Sequence, residues 1–158
     1  MFDSFRKFLS EVSEGGEHPI HFDHDDYRLA AAALLIHVTT VDGDMSGVER
    51  DKLRALLKHR FALDDAATSE LIDAAIAADR NAVDLYHFTS LINRALDEDG
   101  RLRMVEMMWE MIYADGRVTE FEENVVWRAS DLLGISSRSR IEIRQRVAAR
   151  QSGHEGDA

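Results

Sequence analysis

The sequence predicts an all-α fold, a compact bundle of about seven or eight helices, and three observations support this prediction. Alanine and leucine are frequent, and Pro19 is the single proline of the chain. Runs in which β-branched residues alternate with polar ones are missing. Apolar residues instead recur at three- and four-residue spacing, which is typical of amphipathic helices. A chain of 158 residues with 45% hydrophobic side chains is large enough for one domain with its own core.

The elements follow in order along the chain. The opening segment is amphipathic and is followed by a polar connector, so residues 1–24 form an N-terminal segment, 25–150 the helical domain and 151–158 a disordered tail. The first long helix, 25–41, is the most apolar and is predicted to lie at the centre of the core. Six further helices are predicted at 46–60, 65–78, 82–97, 100–114, 119–133 and 137–150. Short connections between them favour antiparallel neighbours.

Composition excludes several classes of function. The 30 acidic residues exceed the 19 lysines and arginines and give a net charge of −11, which disfavours nucleic acid and anionic membranes as partners. The arginine-rich helix 137–150 leaves only a weak anionic contact open. Without cysteine there is no disulfide, thiolate metal site or cysteine nucleophile. No export signal and no apolar run of about 18 residues is present, so we expect a cytoplasmic protein without stable membrane insertion.

An internal repeat is the most informative feature of the sequence. Shifting the chain by 73 residues places 41–49 (VDGDMSGVE) over 114–122 (ADGRVTEFE). The aspartate, the glycine and the glutamate coincide, and an amphipathic helix flanks each copy on both sides. The sequence therefore predicts two pseudo-symmetric helix–loop–helix units bridged by the helix 82–97.

Local chemistry accounts for most positions of these acidic turns. Gly43 and Gly116 stand where a helix ends in a left-handed conformation. The patterns Ser46-x-x-Glu49 and Thr119-x-x-Glu122 are capping boxes for the next helix. An aspartate at the end of a helix, in contrast, faces the unfavourable end of the helix dipole, and a positive charge should offset it.

A divalent cation is one candidate for that charge. The first turn offers Asp42, Asp44 and Glu49, and the second offers Asp115 and Glu122, all with the oxygen ligands that hard cations prefer. The spacing is not that of an EF-hand, because glycine directly follows the first aspartate. Two interpretations stay open from the residues alone: a turn with a helix cap, or a metal site.

A larger set of motifs resembles the TerB-like family, which is associated with bacterial tellurite resistance, in its stand-alone subgroup. The resemblance extends over approximately 25–136. Besides the first acidic turn, the matching segments are Arg28–Leu35 (RLAAAALL), Phe61–Leu63 (FAL), Asp84–Thr89 (DLYHFT), Leu91–Asn93 (LIN), Trp109–Glu122 (WEMIYADGRVTEFE) and Leu132–Ser136 (LLGIS).

The resemblance implies an all-helical fold with an internal pseudo-twofold axis and a metal site formed by the acidic turns. It selects Asp42, Glu49, Asp115 and Glu122 as ligands, with Asp44 as an extra one, for calcium, magnesium, manganese or zinc. Arg117 replaces this extra ligand in the second turn, so the first site should bind more tightly if the two are separate. The resemblance does not supply a settled activity. Together with the repeated acidic turn, it leads us to expect a non-enzymatic sensing or interaction module in a tellurite or stress response, with an unidentified protein partner.

Other candidate residues have simpler interpretations. His18, His21 and His24, beside three aspartates, are interpreted as a fortuitous cluster. His37, Glu106 and Glu110 are interpreted as surface or partly buried groups, the two glutamates forming an exposed acidic stripe. Four methionines near Trp109 are interpreted as core, at positions 104, 107, 108 and 111.

Two alternatives to a metal-binding module remain. One is a metal-independent helical scaffold in which the acidic turns only connect helices. The other is a metal-dependent hydrolase, which requires Asp42 and Asp115 to converge on one pocket. No phosphate-binding loop or catalytic triad supports an enzyme.

Overall fold

The computed structural model describes residues 22–41 and 43–156, with side chains as far as residue 151. This part of the chain contains seven α-helices and no strand, as the sequence predicts. The helices are α1 Tyr27–Thr40, α2 Gly47–Arg60, α3 Asp65–Asn81, α4 Tyr86–Ala95, α5 Glu98–Tyr113, α6 Glu120–Leu132 and α7 Ser137–Gly156. None of the helices described is long and apolar enough to cross a membrane.

Helix boundaries differ from the prediction at three places. Helix α3 extends to Asn81, and the bridging helix α4 begins only at Tyr86. The intervening Ala82 is extended (ψ 137°), and the Tyr86 amide donates to Oδ1 of Asp84 at 2.9 Å in the turn before α4. Helix α7 continues to Gly156 and so enters the segment predicted to be a disordered tail.

Helix α1 is the central element, as predicted. Ten of its 14 residues are buried, and it packs against α2, α3, α4, α5 and α6. The run Ala30–Ala33 has no side chain beyond Cβ, so neighbouring helices can approach α1 closely. Helix α1 therefore contacts five of the other six helices described and forms the centre of the bundle.

The start of α1 is fixed by a cap and a cation–π contact. An Oδ1 atom of Asp26 accepts the Arg28 amide at 2.9 Å, and the Arg28 guanidinium pairs with the same carboxylate at 2.7 Å. The hydrogen bond to Asp26 raises the pKa of Arg28. The guanidinium also lies 4.8 Å from the centroid of the Phe22 ring, which holds Phe22 against the beginning of the bundle.

A further part of the core is formed by the methionine-rich face of α5. All four methionines of that helix are buried, which confirms their predicted role, and Trp109 is 1% exposed. Arg144 from α7 lies 4.8 Å from the Trp109 ring centroid, forms an ion pair with Glu123 and donates to the Tyr113 hydroxyl. The hydrogen bond to Tyr113 is the main cause that raises the pKa of Arg144.

Glu106 and Glu110 do not form the exposed acidic stripe expected from the sequence. Their side chains are 24% and 19% exposed, and both pair with Arg150 of α7, at 2.6 and 3.4 Å. Arg146 also approaches Glu106, and Arg140 pairs with Asp131 at 3.0 Å. Much of the basic charge of α7 is therefore paired with carboxylates of α5 and α6 at the surface of the bundle, which weakens the case for an anionic contact by this helix.

Candidate functional site

The acidic turns lie in the α1–α2 and α5–α6 connections. Asp42 is outside the described residues, so the model does not place this candidate ligand. Asp44 and Asp115 are exposed, whereas Glu49 and Glu122 are only 5% and 4% exposed. Each turn thus combines an exposed aspartate with a buried glutamate.

The backbone closes both turns in a related way. The Gly43 amide donates to the Thr40 carbonyl at 3.4 Å, and the Gly116 amide donates to the Tyr113 carbonyl at 3.1 Å. Gly116 has φ of 77°, the left-handed conformation predicted for it. Gly43 has φ of 153°, which is outside the left-handed helical region but is still a backbone conformation that favours glycine.

Both predicted capping boxes are complete. The Ser46 hydroxyl accepts the Glu49 amide at 3.1 Å, and an Oε1 atom of Glu49 accepts the Ser46 amide at 2.9 Å. The corresponding distances for Thr119 and Glu122 are 3.2 and 3.0 Å. Each glutamate therefore commits one carboxylate oxygen to the start of its helix.

The charge of Glu49 has little visible compensation. Within the described residues, none of the ion pairs with lysine, arginine or histidine involves this carboxylate. The N-terminus of α2 supplies the cap amide and a dipole worth about 0.3–1 kcal/mol. Burying a carboxylate costs several kcal/mol, so the cap alone offsets only part of that cost.

The described carboxylates do not converge into a complete ligand cage. Among the side chains that the structure describes, in residues 22–41 and 43–151, no group of three or more His, Cys, Asp or Glu is close enough to hold a metal. In the second turn an Oδ1 atom of Asp115 accepts the Arg117 amide at 3.0 Å. A hard cation that keeps several water ligands, as magnesium does, can be held by only one or two carboxylates. In the first turn Asp42 would be the third carboxylate.

Two exposed apolar side chains beside the turns were not identified from the sequence. Val48 and Phe121 are 55% and 64% exposed, although each belongs to an apolar pattern with helical spacing. They occupy equivalent positions of the two turns, immediately before Glu49 and Glu122. In the first turn of each helix it is the glutamate that faces inward, which leaves the preceding apolar residue at the surface.

The histidine candidates lie away from this arrangement. His37 pairs with Asp79 at 2.8 Å, and the His24 ring stacks on His87 with centroids 5.1 Å apart. His18 and His21 lie outside the described residues. The pairing of His24 with His87, which is distant in sequence, could not be read from local spacing.

Removing a cap hydroxyl tests the structural part of the turns. We expect Ser46→Ala to lower the free energy of unfolding by about 1 kcal/mol, because the Glu49 amide loses its acceptor. Thr119→Ala should have a similar effect. Urea unfolding followed by circular dichroism measures both. A change below about 0.3 kcal/mol in both variants would contradict the importance of these caps.

Comparison with known proteins identifies the family. The family model described as tellurite resistance protein TerB matches residues 28–145, which is more than half of the chain and includes both acidic turns. The searches of curated proteins and of solved structures each found no match.

Proposed function

The chain belongs to the TerB family, and from this premise we propose a non-enzymatic helical domain that binds a divalent cation at its acidic turns. Its proposed role is that of a sensing or protein-interaction module in a cytoplasmic tellurite or stress response. The observation that carries the metal-binding proposal is the buried Glu49 carboxylate, 5% exposed and engaged by a single backbone amide.

The argument is one of charge compensation. Isolated buried carboxylates are strongly unfavourable, and proteins offset them with a cation, a metal or several hydrogen bonds. The Glu49 cap uses one oxygen and leaves the other available as a ligand. Asp42 and Asp44 lie in the same connection and add negative charge, which would attract a cation to this turn.

The second turn is proposed as the weaker site. Asp115 and Glu122 supply its carboxylates, and Arg117 places a positive charge where the first turn has Asp44. A cation bound at either turn would be held by an aspartate near the end of one helix and by the glutamate at the start of the next. Occupation of the site would therefore stiffen the two connections, which is the physical basis proposed for sensing.

A metal-independent scaffold is the second candidate, and the complete capping boxes favour it. Both glutamates already have a structural role that requires no ion. The hydrolase alternative has no supporting observation among the described residues.

Exchange of glutamate for glutamine separates the two candidates. Glutamine also completes a capping box but carries no charge, so Glu49→Gln with Glu122→Gln keeps the cap and removes the proposed ligands. The test is calorimetric titration of calcium, magnesium, manganese and zinc, each separately, into metal-free protein. The metal-binding proposal predicts that the cation with the highest affinity for the wild type binds the double variant at least about tenfold more weakly, a loss of roughly 1.4 kcal/mol in binding free energy.

The matched control is Asp73→Asn with Asp99→Asn, which changes the net charge equally at two exposed positions outside the turns. This control should bind metal like the wild type. Absence of any heat from the wild type, or equal affinity in the glutamine variant, would favour the scaffold.

A further inference from the structure

A groove lies between the start of α1, the C-terminal half of α3 and the start of α4. Its volume is about 600 Å³, within the range of binding pockets. We call it the alanine groove, and its apolar lining consists mainly of Phe22, Leu29, Ala74, Ala77, Ala78 and Phe88. Leu29 and Phe88 are buried beneath it, so it is continuous with the core.

The shape of the groove suits large side chains from another helix. Ala74, Ala77 and Ala78 recur at three- and four-residue spacing and therefore follow one face of α3. Their small side chains leave space above the helix, and packing of ridges into grooves fills such space with larger residues. The hydrophobic effect favours covering this surface.

The position of Phe22 indicates where a covering segment enters. Phe22 lines the groove, is partly buried against the core and lies under the Arg28 guanidinium. The preceding 21 residues of the sequence are therefore joined to the bundle at this end of the groove. They contain an apolar pattern with helical spacing: Phe2, Phe5, Phe8, Leu9 and Val12.

Length and charge are compatible with occupation by this segment. A helix over residues 2–12 would be about 16 Å long. The connector 13–21 spans at most about 30 Å, so the tether keeps the apolar face within reach of the groove. A short tether gives an effective concentration in the millimolar range, which favours this segment over a free partner. Asp3, Arg6, Lys7 and Glu11 balance one another in charge, so the acidic body does not repel the segment.

We propose that the N-terminal segment 2–12 docks as an amphipathic helix into the alanine groove of its own chain and covers it. Its phenylalanines fill the space above the alanines of α3. This surface is separate from the acidic turns, so the inference does not depend on metal binding.

Disulfide trapping tests the docking in the full chain. The chain has no natural cysteine, so an engineered pair is unambiguous. One variant combines Leu9→Cys with Ala77→Cys in the groove. Its matched control combines Leu9→Cys with Ala66→Cys, an exposed alanine about 16 Å away along the same face of α3. Both are oxidised in dilute solution with oxidised glutathione, and the bonds are mapped by mass spectrometry.

The proposal predicts an intramolecular bond from position 9 to 77 that forms at least about tenfold faster than the bond to 66. Adding Phe5→Ser and Phe8→Ser should abolish the preference while the circular dichroism of the bundle persists. Equal rates at the two positions would show that the segment does not dock in the groove. Faster bonding at 66, or bonds mainly between two chains, would also overturn the proposal, the latter in favour of a second copy as the occupant.

Discussion

Replacing Trp109 with alanine is expected to lower the free energy of unfolding by about 3–5 kcal/mol. The Trp109 ring is 1% exposed on α5, beneath the Arg144 guanidinium and 6.0 Å from the Tyr113 ring centroid. The substitution removes a large buried side chain and also the cation–π contact with α7. Because domains are stable by only about 5–15 kcal/mol, this single change should remove a large part of the total. Urea unfolding monitored by far-ultraviolet circular dichroism measures the loss.

Trp127→Ala is the matched control, since the chain has only 2 tryptophans. The Trp127 ring lies 5.3 Å from the Arg140 guanidinium, but the residue is only partly buried on α6. We expect a loss smaller by at least about 1 kcal/mol than that at Trp109. Equal losses at both tryptophans would contradict the placement of Trp109 in the buried core on α5.

The sequence was sufficient to predict the all-α class, the central helix α1 and both capping boxes. Each of these depends on local patterns: apolar residues at helical spacing, or a hydroxyl residue three positions before a glutamate. The family resemblance was confirmed by the family model over residues 28–145. The division of the chain into a segment, a domain and a tail stays a prediction.

Contacts between distant elements were less predictable. Arg150 pairs with Glu106 and Glu110, which lie 40 or more positions earlier in the sequence. Helical spacing alone predicted that these two glutamates form an exposed stripe. The exposure of Val48 and Phe121 could not be deduced from apolar spacing either, because near a helix start the direction of a side chain depends on how the preceding turn enters the helix. Neither feature can be deduced without the relative placement of the helices.

The candidate site was predicted only in its local part. The roles of Ser46, Glu49, Thr119 and Glu122 in helix capping follow from their spacing, and the structure shows them. The burial of both glutamates was not expected, because capping glutamates need not leave the surface. Metal binding by Asp42, Asp44, Glu49, Asp115 and Glu122 stays a prediction, and it is the part of the account that solution experiments must decide.

The second prediction with a large effect is that a bound divalent cation raises the free energy of unfolding. A ligand that binds only the folded chain stabilises it by about 2.7 kcal/mol at a concentration 100 times its Kd. We expect this gain for wild-type protein with its best-binding divalent cation. Asp42→Asn with Asp115→Asn removes one carboxylate from each turn and should abolish most of the gain. Asp73→Asn with Asp99→Asn, which changes the net charge equally, should retain it.

The most direct test of the central claim is therefore urea unfolding of the wild type and the two double variants. Each protein is first freed of metal and then measured without the cation and with the cation at about 100 times the Kd of the wild type. The account predicts a gain of about 2.7 kcal/mol in the wild type and in the charge control, and little or none in the acidic-turn variant. No gain in the wild type, or the same gain in all three proteins, would contradict cation binding at the acidic turns.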